Sequence, residues 1–228
     1  MSKALIIFAK RPSPGRVKTR LVPHLTAEEA AELYRRMLLD ILAKTGQITD
    51  VDKFLFYEQW AGAAEYFAET ASGGFICPQV GKGMGERLET AFDHVFRRGY
   101  DEVAVIGTDS PDLPVSFVER AFDLLRFPDV DAVFGPAVDG GYYLVAMARL
   151  HRELFRDIPW STGKVLQRSL SKAAGAGVAT ALLPLWHDVD TAADLLRPEL
   201  VDPDNGAPLT REFILRHQLR SPVFPGGR

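Results

Sequence analysis

From its first residues this chain of 228 alternates apolar runs of strand length with stretches of helical period, which confines it to layered α/β architectures. Ala4-Leu5-Ile6-Ile7-Phe8-Ala9 reads as a strand. Residues 26–45 read as a helix: Thr26 and Glu29 make a capping box, and Ala30, Tyr34, Met37, Leu38, Ile41 and Leu42 recur on one face, with Glu28, Glu32, Arg35 and Arg36 turned to water. Strands are expected at 51–57 and at 74–78, the second short and buried, and helices at 61–71 and 86–98. Residues 103–106, four apolar residues between polar neighbours, suit a strand covered on both faces. A helix at 115–127 precedes two strands, 132–134 and 142–146, joined by a glycine loop. A helix near 163–175, a strand at 178–185 and a helix opened by Asp190-Thr191 follow. With no repeat and no linker, the expected organisation is one domain over 1–201 and an extension over 202–228, with a brief helix at 210–219.

Charge is distributed unevenly over this frame. The first 27 residues hold six cations and no acid, and five of the six, Lys10, Arg11, Arg16, Lys18 and Arg20, crowd one turn between the first strand and the first helix. The other 201 residues carry 21 cations against 30 acids. A basic loop on an acidic chain points to a local anion site rather than general adhesion to nucleic acid or membrane. Open α/β sheets collect ligands at such strand-to-helix turns. A merely solvated cationic loop is the alternative.

A composition of 46% hydrophobic and 25% charged residues supplies an ordinary core without stapling. The single cysteine, Cys77, has no partner for an intramolecular disulfide, sits in an apolar run and fits inert packing in a reducing cytoplasm. No stretch approaches the ~20 apolar residues of a membrane span, and the opening run is too short for a signal-peptide core.

Several residues could carry chemistry. Asp109 directly follows the 103–106 strand, where a carboxylate can hold a divalent cation; it can equally cap the turn through Ser110-Pro111. Asp188 and Asp190, two apart around Val189, present both carboxylates to one side of an extended segment while the valine faces inward. That suits a shared cation, although Asp190 can also serve as a helix N-cap. Gly81-Lys82-Gly83-Met84-Gly85-Glu86-Arg87 approaches a helix N-terminus, where free N–H groups can meet phosphate; its glycines do not follow a dinucleotide fingerprint. Asp139-Gly140-Gly141-Tyr142-Tyr143 combines an acid, permissive glycines and aromatics with polar tips, or is a hairpin turn. Pro159-Trp160-Ser161-Thr162 offers a stacking ring, or a cap beside a core tryptophan. No Ser/His/Asp triad, cysteine nucleophile or zinc cluster is persuasive.

Five segments occur in order: Phe8-Ala-Lys10-x-Pro12-x-Pro14-Gly15-x-Val17-Lys18-Thr19-Arg20-Leu21, Gly107-Thr108-Asp109-Ser110-Pro111, Gly135-Pro136-x-x-Asp139-Gly140-Gly141-Tyr142-Tyr143-Leu144, Pro159-Trp160-Ser161-Thr162 and Asp188-Val189-Asp190-Thr191. Together, over residues 4 to 196, they resemble a bacterial family of glycosyltransferase-like proteins in the nucleotide-diphospho-sugar transferase superfamily. The first and last segments are also similar to phospholactate and phosphoenolpyruvate guanylyltransferases and, more distantly, to molybdenum cofactor guanylyltransferases.

The resemblance implies a single-domain, three-layer α/β/α fold of the GT-A type with a mostly parallel sheet. It implies a nucleotide or nucleotide-sugar donor held by Lys10, Pro14, Gly15, Arg16, Lys18, Arg20, Gly85, Arg87 and Thr108. Lys18 and Asp109 would be catalytic, and Mg²⁺ or Mn²⁺ would lie on Asp109, Asp188 and Asp190. A small-molecule acceptor would meet Asp139, Gly140, Gly141, Tyr142 and Ser161. The implied activity is metal-dependent glycosyl transfer, with nucleotidyl transfer to a phosphorylated acceptor and a non-catalytic nucleotide-binding module as alternatives. The sequence departs from glycosyltransferases in one respect: Asp109-Ser110-Pro111-Asp112 replaces an Asp-x-Asp.

Overall fold

The alternation becomes a seven-stranded sheet with helices on both faces. The computed structural model describes residues 1–22, 24–71 and 73–217. In chain order its elements are β1 (Lys3–Ala9), α1 (Ala27–Gly46), β2 (Asp52–Tyr57), α2 (Ala63–Thr70), β3 (Phe75–Pro78), α3 (Met84–Phe96), β4 (Glu102–Ile106), α4 (Val115–Leu125), β5 (Ala132–Pro136), β6 (Tyr142–Met147), α5 (Val165–Gly175), β7 (Thr180–Leu182) and α6 (Pro208–Arg216). Across the sheet the strands run β3-β2-β1-β4-β6-β5-β7. Only β6 runs antiparallel to its neighbours, because a short turn returns it directly beside β5. The expected three-layer, mostly parallel α/β/α fold is the one observed.

Strand alternation sorts the core into two layers. Ala4, Ile6, Val103, Val105 and Phe134 face Leu88, Phe92 and Val95 of α3. Leu5, Ile7, Ala104 and Ile106 face Ile41 of α1 and Val118 and Phe122 of α4. The chain lays β1, β2 and β3 outward in one direction and then crosses to place β4 on the other side of β1. Such a reversal leaves a crevice at the carboxyl ends of the two central strands, where neither connecting loop covers the gap. The basic loop leaves β1 there, and Asp109 leaves β4 there.

Helix α1 begins as expected, with the Thr26 hydroxyl accepting from the Glu29 N–H and the Glu29 carboxylate accepting from Thr26. It is buried on more than one face, which its apolar stripe did not reveal. Leu33 and Met37 meet Phe213 and Ile214 of α6 in a second, smaller core that also holds Leu21, Val189 and Leu200. Asp40 accepts the otherwise free N–H groups of Leu209 and Thr210 in the first turn of α6. Arg36 therefore does not face water: it pairs with Glu32 and Glu212 and keeps 15% of its side chain exposed.

Three expectations need correction. Residues 74–78 form an edge strand, with Cys77 buried but Phe75 half-exposed, because the sheet ends there. The strand expected at 178–185 is regular only over Thr180–Leu182; beyond it the chain follows β5 through single contacts, Leu183 N–H to Phe134 C=O and Trp186 N–H to Pro136 C=O. No helix opens at Asp190. The Asp194 carboxylate accepts the N–H groups of Asp190 and Thr191, and two short 3-10 turns, Asp194–Leu196 and Pro198–Val201, follow instead of an α-helix. At the C-terminal end α6 occupies 208–216, and the expected residues 218 and 219 lie outside the described residues.

Candidate active site

The crevice is fastened at its floor by hydrogen bonds between the two central strands' loops and α1. The Lys10 N–H donates to the Tyr34 hydroxyl at 2.8 Å, and that hydroxyl lies 2.7 Å from Thr108 Oγ1. Burial, with the nearby Asp109 charge, pushes the Tyr34 phenol far above its ordinary range, so it stays a neutral hydroxyl. Tyr34 escaped the sequence reading as a site residue, since one tyrosine on an apolar stripe looks like core. Its only sequence signal is a polar tip in an otherwise aliphatic face.

Asp109 is brought to the late aspartates by main chain. The Val189 N–H donates to the Asp109 carbonyl at 2.8 Å, and Val189 itself is fully buried in the smaller core. Asp188 and Asp190 therefore flank Asp109 on either side of a buried anchor, as alternation along an extended segment dictates. Asp188 accepts from the Ser110 hydroxyl at 2.6 Å. Burial raises its carboxyl to about 6, further aided by the charges of Asp109, Asp139 and Asp190 and opposed by the Ser110 bond.

Lys18 reaches into this acidic group. Its ammonium contacts Oδ1 of Asp109 and lies 2.9 Å from Oδ1 of Asp190. Burial alone would favour the neutral amine, but the two carboxylates hold Lys18 above the ordinary lysine range. Asp109 is the mirror case: its setting opposes ionisation, and the Lys18 ammonium overrides that and keeps its pKa below the usual value. The Lys18 backbone has φ 49°, a left-handed conformation costly for a side chain with a Cβ.

The remaining cations distribute around this centre. Lys10, Arg16, Lys18 and Arg20 line a cavity of about 190 Å³ that also touches Asp109 and Asp190. Lys10, Arg16 and Arg20 are exposed. Pro14 and Gly15 are exposed at the tip of the loop, and neither lines the cavity. Gly15 adopts φ 71°, which a turn of this hand requires.

A second cavity of about 260 Å³ opens on the other side of Asp109 and shares Lys10 and Tyr34 with the first. Phe8, Leu88, Tyr142, Val145 and Trp160 form apolar walls, with Arg87, Thr108, Asp139, Gly141, Ser161 and Asp188 among its polar lining. Arg87 is partly engaged by the Gly81 carbonyl and Gln79. Asp139 accepts the Gly141 N–H at 2.7 Å and closes the β5–β6 turn. Ser161, exposed at the rim, has φ 63°.

Two of the expected contact residues pack against protein backbone, and a third reaches the cavity only by its ring. A Cβ on Gly85 would lie 2.3 Å from the Phe155 carbonyl oxygen, so its missing side chain admits neighbouring protein backbone. Gly140, at φ 87°, is pressed against the Gly163 carbonyl in the same way. The Tyr142 hydroxyl is buried, and its ring packs between Phe134 and Trp160, so the polar tip does not face the cavity. Asp112 does not join Asp109: it is buried against Arg197.

The three aspartates offer the hard, oxygen-only donors that Mg²⁺ and Mn²⁺ take. Among the described residues, no group of three or more His, Cys, Asp or Glu stands ready to hold an ion. Lys18 engages two of the three carboxylates. The donor chemistry of the three carboxylates is the kind a divalent cation takes.

The family described as "Uncharacterized protein conserved in bacteria (DUF2064)" matches residues 41–162. No curated protein matches the chain. A solved structure from Desulfovibrio desulfuricans G20, provisionally described as a nucleotide-diphospho-sugar transferase, is 31% identical over 95% of this chain and 98% of that one, with a TM-score of 0.85. A cytidylyltransferase from Leptospira borgpetersenii serovar Hardjo-bovis is 11% identical over 96% of each chain, with a TM-score of 0.55. CMP:2-keto-3-deoxy-manno-octonic acid synthetase complexed with CTP is 16% identical over 85% of this chain and 95% of that one, with a TM-score of 0.50. The last two share the fold with this chain. Among the described residues no helix is long and apolar enough to cross a membrane.

Proposed function

We propose, for a chain that belongs to the DUF2064 family of bacterial proteins, that it is a metal-dependent transferase acting on a nucleotide-linked donor, with glycosyl transfer from a nucleotide-sugar as the first reading. One observation carries the proposal: four cations of the N-terminal loop, Asp109 from the middle of the chain and Asp190 from its later part line a single cavity at the sheet's switch point. Cations suit the phosphates of the donor, and the aspartates suit the metal that accompanies them. The 31% identical structure described as a nucleotide-diphospho-sugar transferase supports the glycosyl reading.

In this reading Lys10, Arg16 and Arg20 bind the donor's phosphates, and Lys18 joins them when it leaves its carboxylates. Asp109, Asp188 and Asp190 would hold Mg²⁺ or Mn²⁺, which when bound offsets the negative charge that grows on the leaving diphosphate. Tyr34 and Thr108 orient the Lys10 backbone beneath the phosphates. Asp139, Gly141 and Ser161 border the acceptor, and the Trp160 and Tyr142 rings exclude water from it. Gly85, Gly140, Pro14 and Gly15 act by shaping these elements rather than by contact. The domain reading is one catalytic unit over 1–201 with 202–228 as its extension.

Nucleotidyl transfer is the second reading, favoured by one observation: Asp112 is committed to Arg197, so the β4 loop offers a single acid rather than an Asp-x-Asp pair. Products separate the two. A nucleotide-sugar panel incubated with Mg²⁺ or Mn²⁺ and varied acceptors should release nucleoside diphosphate. Pyrophosphate released from a nucleoside triphosphate, dependent on a phosphorylated acceptor, would transfer the assignment to nucleotidyl transfer; neither product would leave a binding module.

A further inference from the structure

Within the basic stretch, Lys10, Arg11, Arg16 and Arg20 are exposed, while the Lys18 side chain is 2% exposed. Its two partners are not sealed: the Asp109 and Asp190 side chains remain 45% and 39% exposed. The carboxylates thus face the crevice on one side and a buried ammonium on the other.

We propose that Lys18 and a divalent cation exchange at these carboxylates: the ammonium is a resident counter-ion that withdraws when the metal binds. The inference deepens the transferase reading and rests on it for the metal's presence. The argument is one of shared atoms. A metal bound through the Oδ1 atoms lies about 2.1 Å from each. The ammonium occupies hydrogen-bonding positions on those same two atoms. Two like charges on one pair of oxygens, within a few ångströms and partly shielded from water, repel strongly, so each disfavours the other.

The displaced ammonium has a destination. Lys18 lines the same cavity as Lys10, Arg16 and Arg20, and a flexible four-carbon stem lets it turn from carboxylate to phosphate without moving the loop. Without phosphate that position is crowded by like charge, and Lys18 stays on its carboxylates. Donor phosphates therefore favour its withdrawal, and metal and donor strengthen each other's binding reciprocally. The left-handed backbone at Lys18 fits a residue held by its side-chain contacts at a switching position.

The test uses the full chain and Mn²⁺ alone. Calorimetry should show K18M binding Mn²⁺ at least about ten-fold more tightly than wild type, within the usual range of coupling between sites. Equal or weaker binding by a folded K18M overturns the exchange, as does absence of Mn²⁺ binding by both proteins. If K18M does not fold, wild type decides: acetylation of Lys18 by a water-soluble ester, followed by mass spectrometry, should rise several-fold in saturating Mn²⁺ relative to metal-free protein. Unchanged labelling overturns the exchange. A parallel panel of nucleotide-sugars and nucleoside triphosphates tests the transferase reading separately: wild type that binds none of them sinks that reading, while the Mn²⁺ comparison still decides the exchange.

Discussion

Counted over the whole residue, Lys18 and Lys44 are each 8% exposed, yet their charges fare in opposite ways. Lys18 touches two carboxylates, and its proton is held more firmly than usual. Lys44, near the end of α1, donates to the carbonyls of Pro111, Leu113 and Asn205 at 2.7, 3.0 and 3.3 Å. Burial lowers its pKa to about 8, with Asp112 and Asp40 pulling only partly the other way. The contrast shows that burial alone does not set a lysine's charge; contact with a full counter-charge does. Both lysines serve the same loop. One holds Asp109 at the crevice, and the other fastens the following turn from behind.

The largest expected effect comes from removing the counter-charge. Asp109→Asn should lower turnover at least about 100-fold, the scale of losing one electrostatic contact to a developing charge, while thermal unfolding shows the fold retained. Turnover within a few-fold of wild type would reduce Asp109 to a structural partner of Lys18.

The rear lysine should act on stability instead. Lys44→Met leaves buried carbonyls without their donor and should cost about 2 kcal/mol at neutral pH, read by denaturant unfolding. No loss would mean that those carbonyls find other donors.

The two lysines should also differ in their response to pH. In the unfolded chain Lys44 keeps its proton up to its ordinary pKa of 10.5, whereas in the folded chain it releases it near 8. Between these values the unfolded state binds more protons, so stability climbs with pH. Wild type should gain about 1.5 kcal/mol relative to Lys44→Met between pH 8 and 9.5. Lys18, with its raised pKa, contributes no such gain in that window. A constant difference between the two proteins across the window would remove the distinction.

The smallest change concerns the turn that carries Asp190. Asp194→Ala should cost about 1 kcal/mol by freeing the N–H groups of Asp190 and Thr191, comparable to losing a helix cap. If Asp190 is thereby less well placed against Lys18, nucleotide affinity should fall with it; unchanged stability would show that the turn holds itself.

Local signals were legible in the sequence and distant ones were not. The capping box at Thr26 and Glu29, the buried strand at 103–106 and the outward pairing of Asp188 with Asp190 each depend on a few neighbouring residues, whose periodicity states their geometry. The partners of Lys18 lie 91 and 172 residues away, so the sequence displays a cluster of cations without showing which one meets an acid. Arg36 was misread for the same reason: nothing in α1 announces that α6 will cover it. Gly85 and Gly140 looked like openings for a ligand because a glycine records only that something approaches, not what.

The bond from the Val189 N–H to the Asp109 carbonyl gives this centre a property its side chains cannot give it. Main chain supplies a link between the two acidic segments that does not itself involve the side chains at positions 109, 188 and 190. A designer could therefore replace these carboxylates with histidines or amides, and descendants of this chain could do so by drift, on a frame whose spacing is already made. The distance belongs to the scaffold and the chemistry to its occupants, which makes this corner of the molecule a fixture for testing new ligand sets one position at a time.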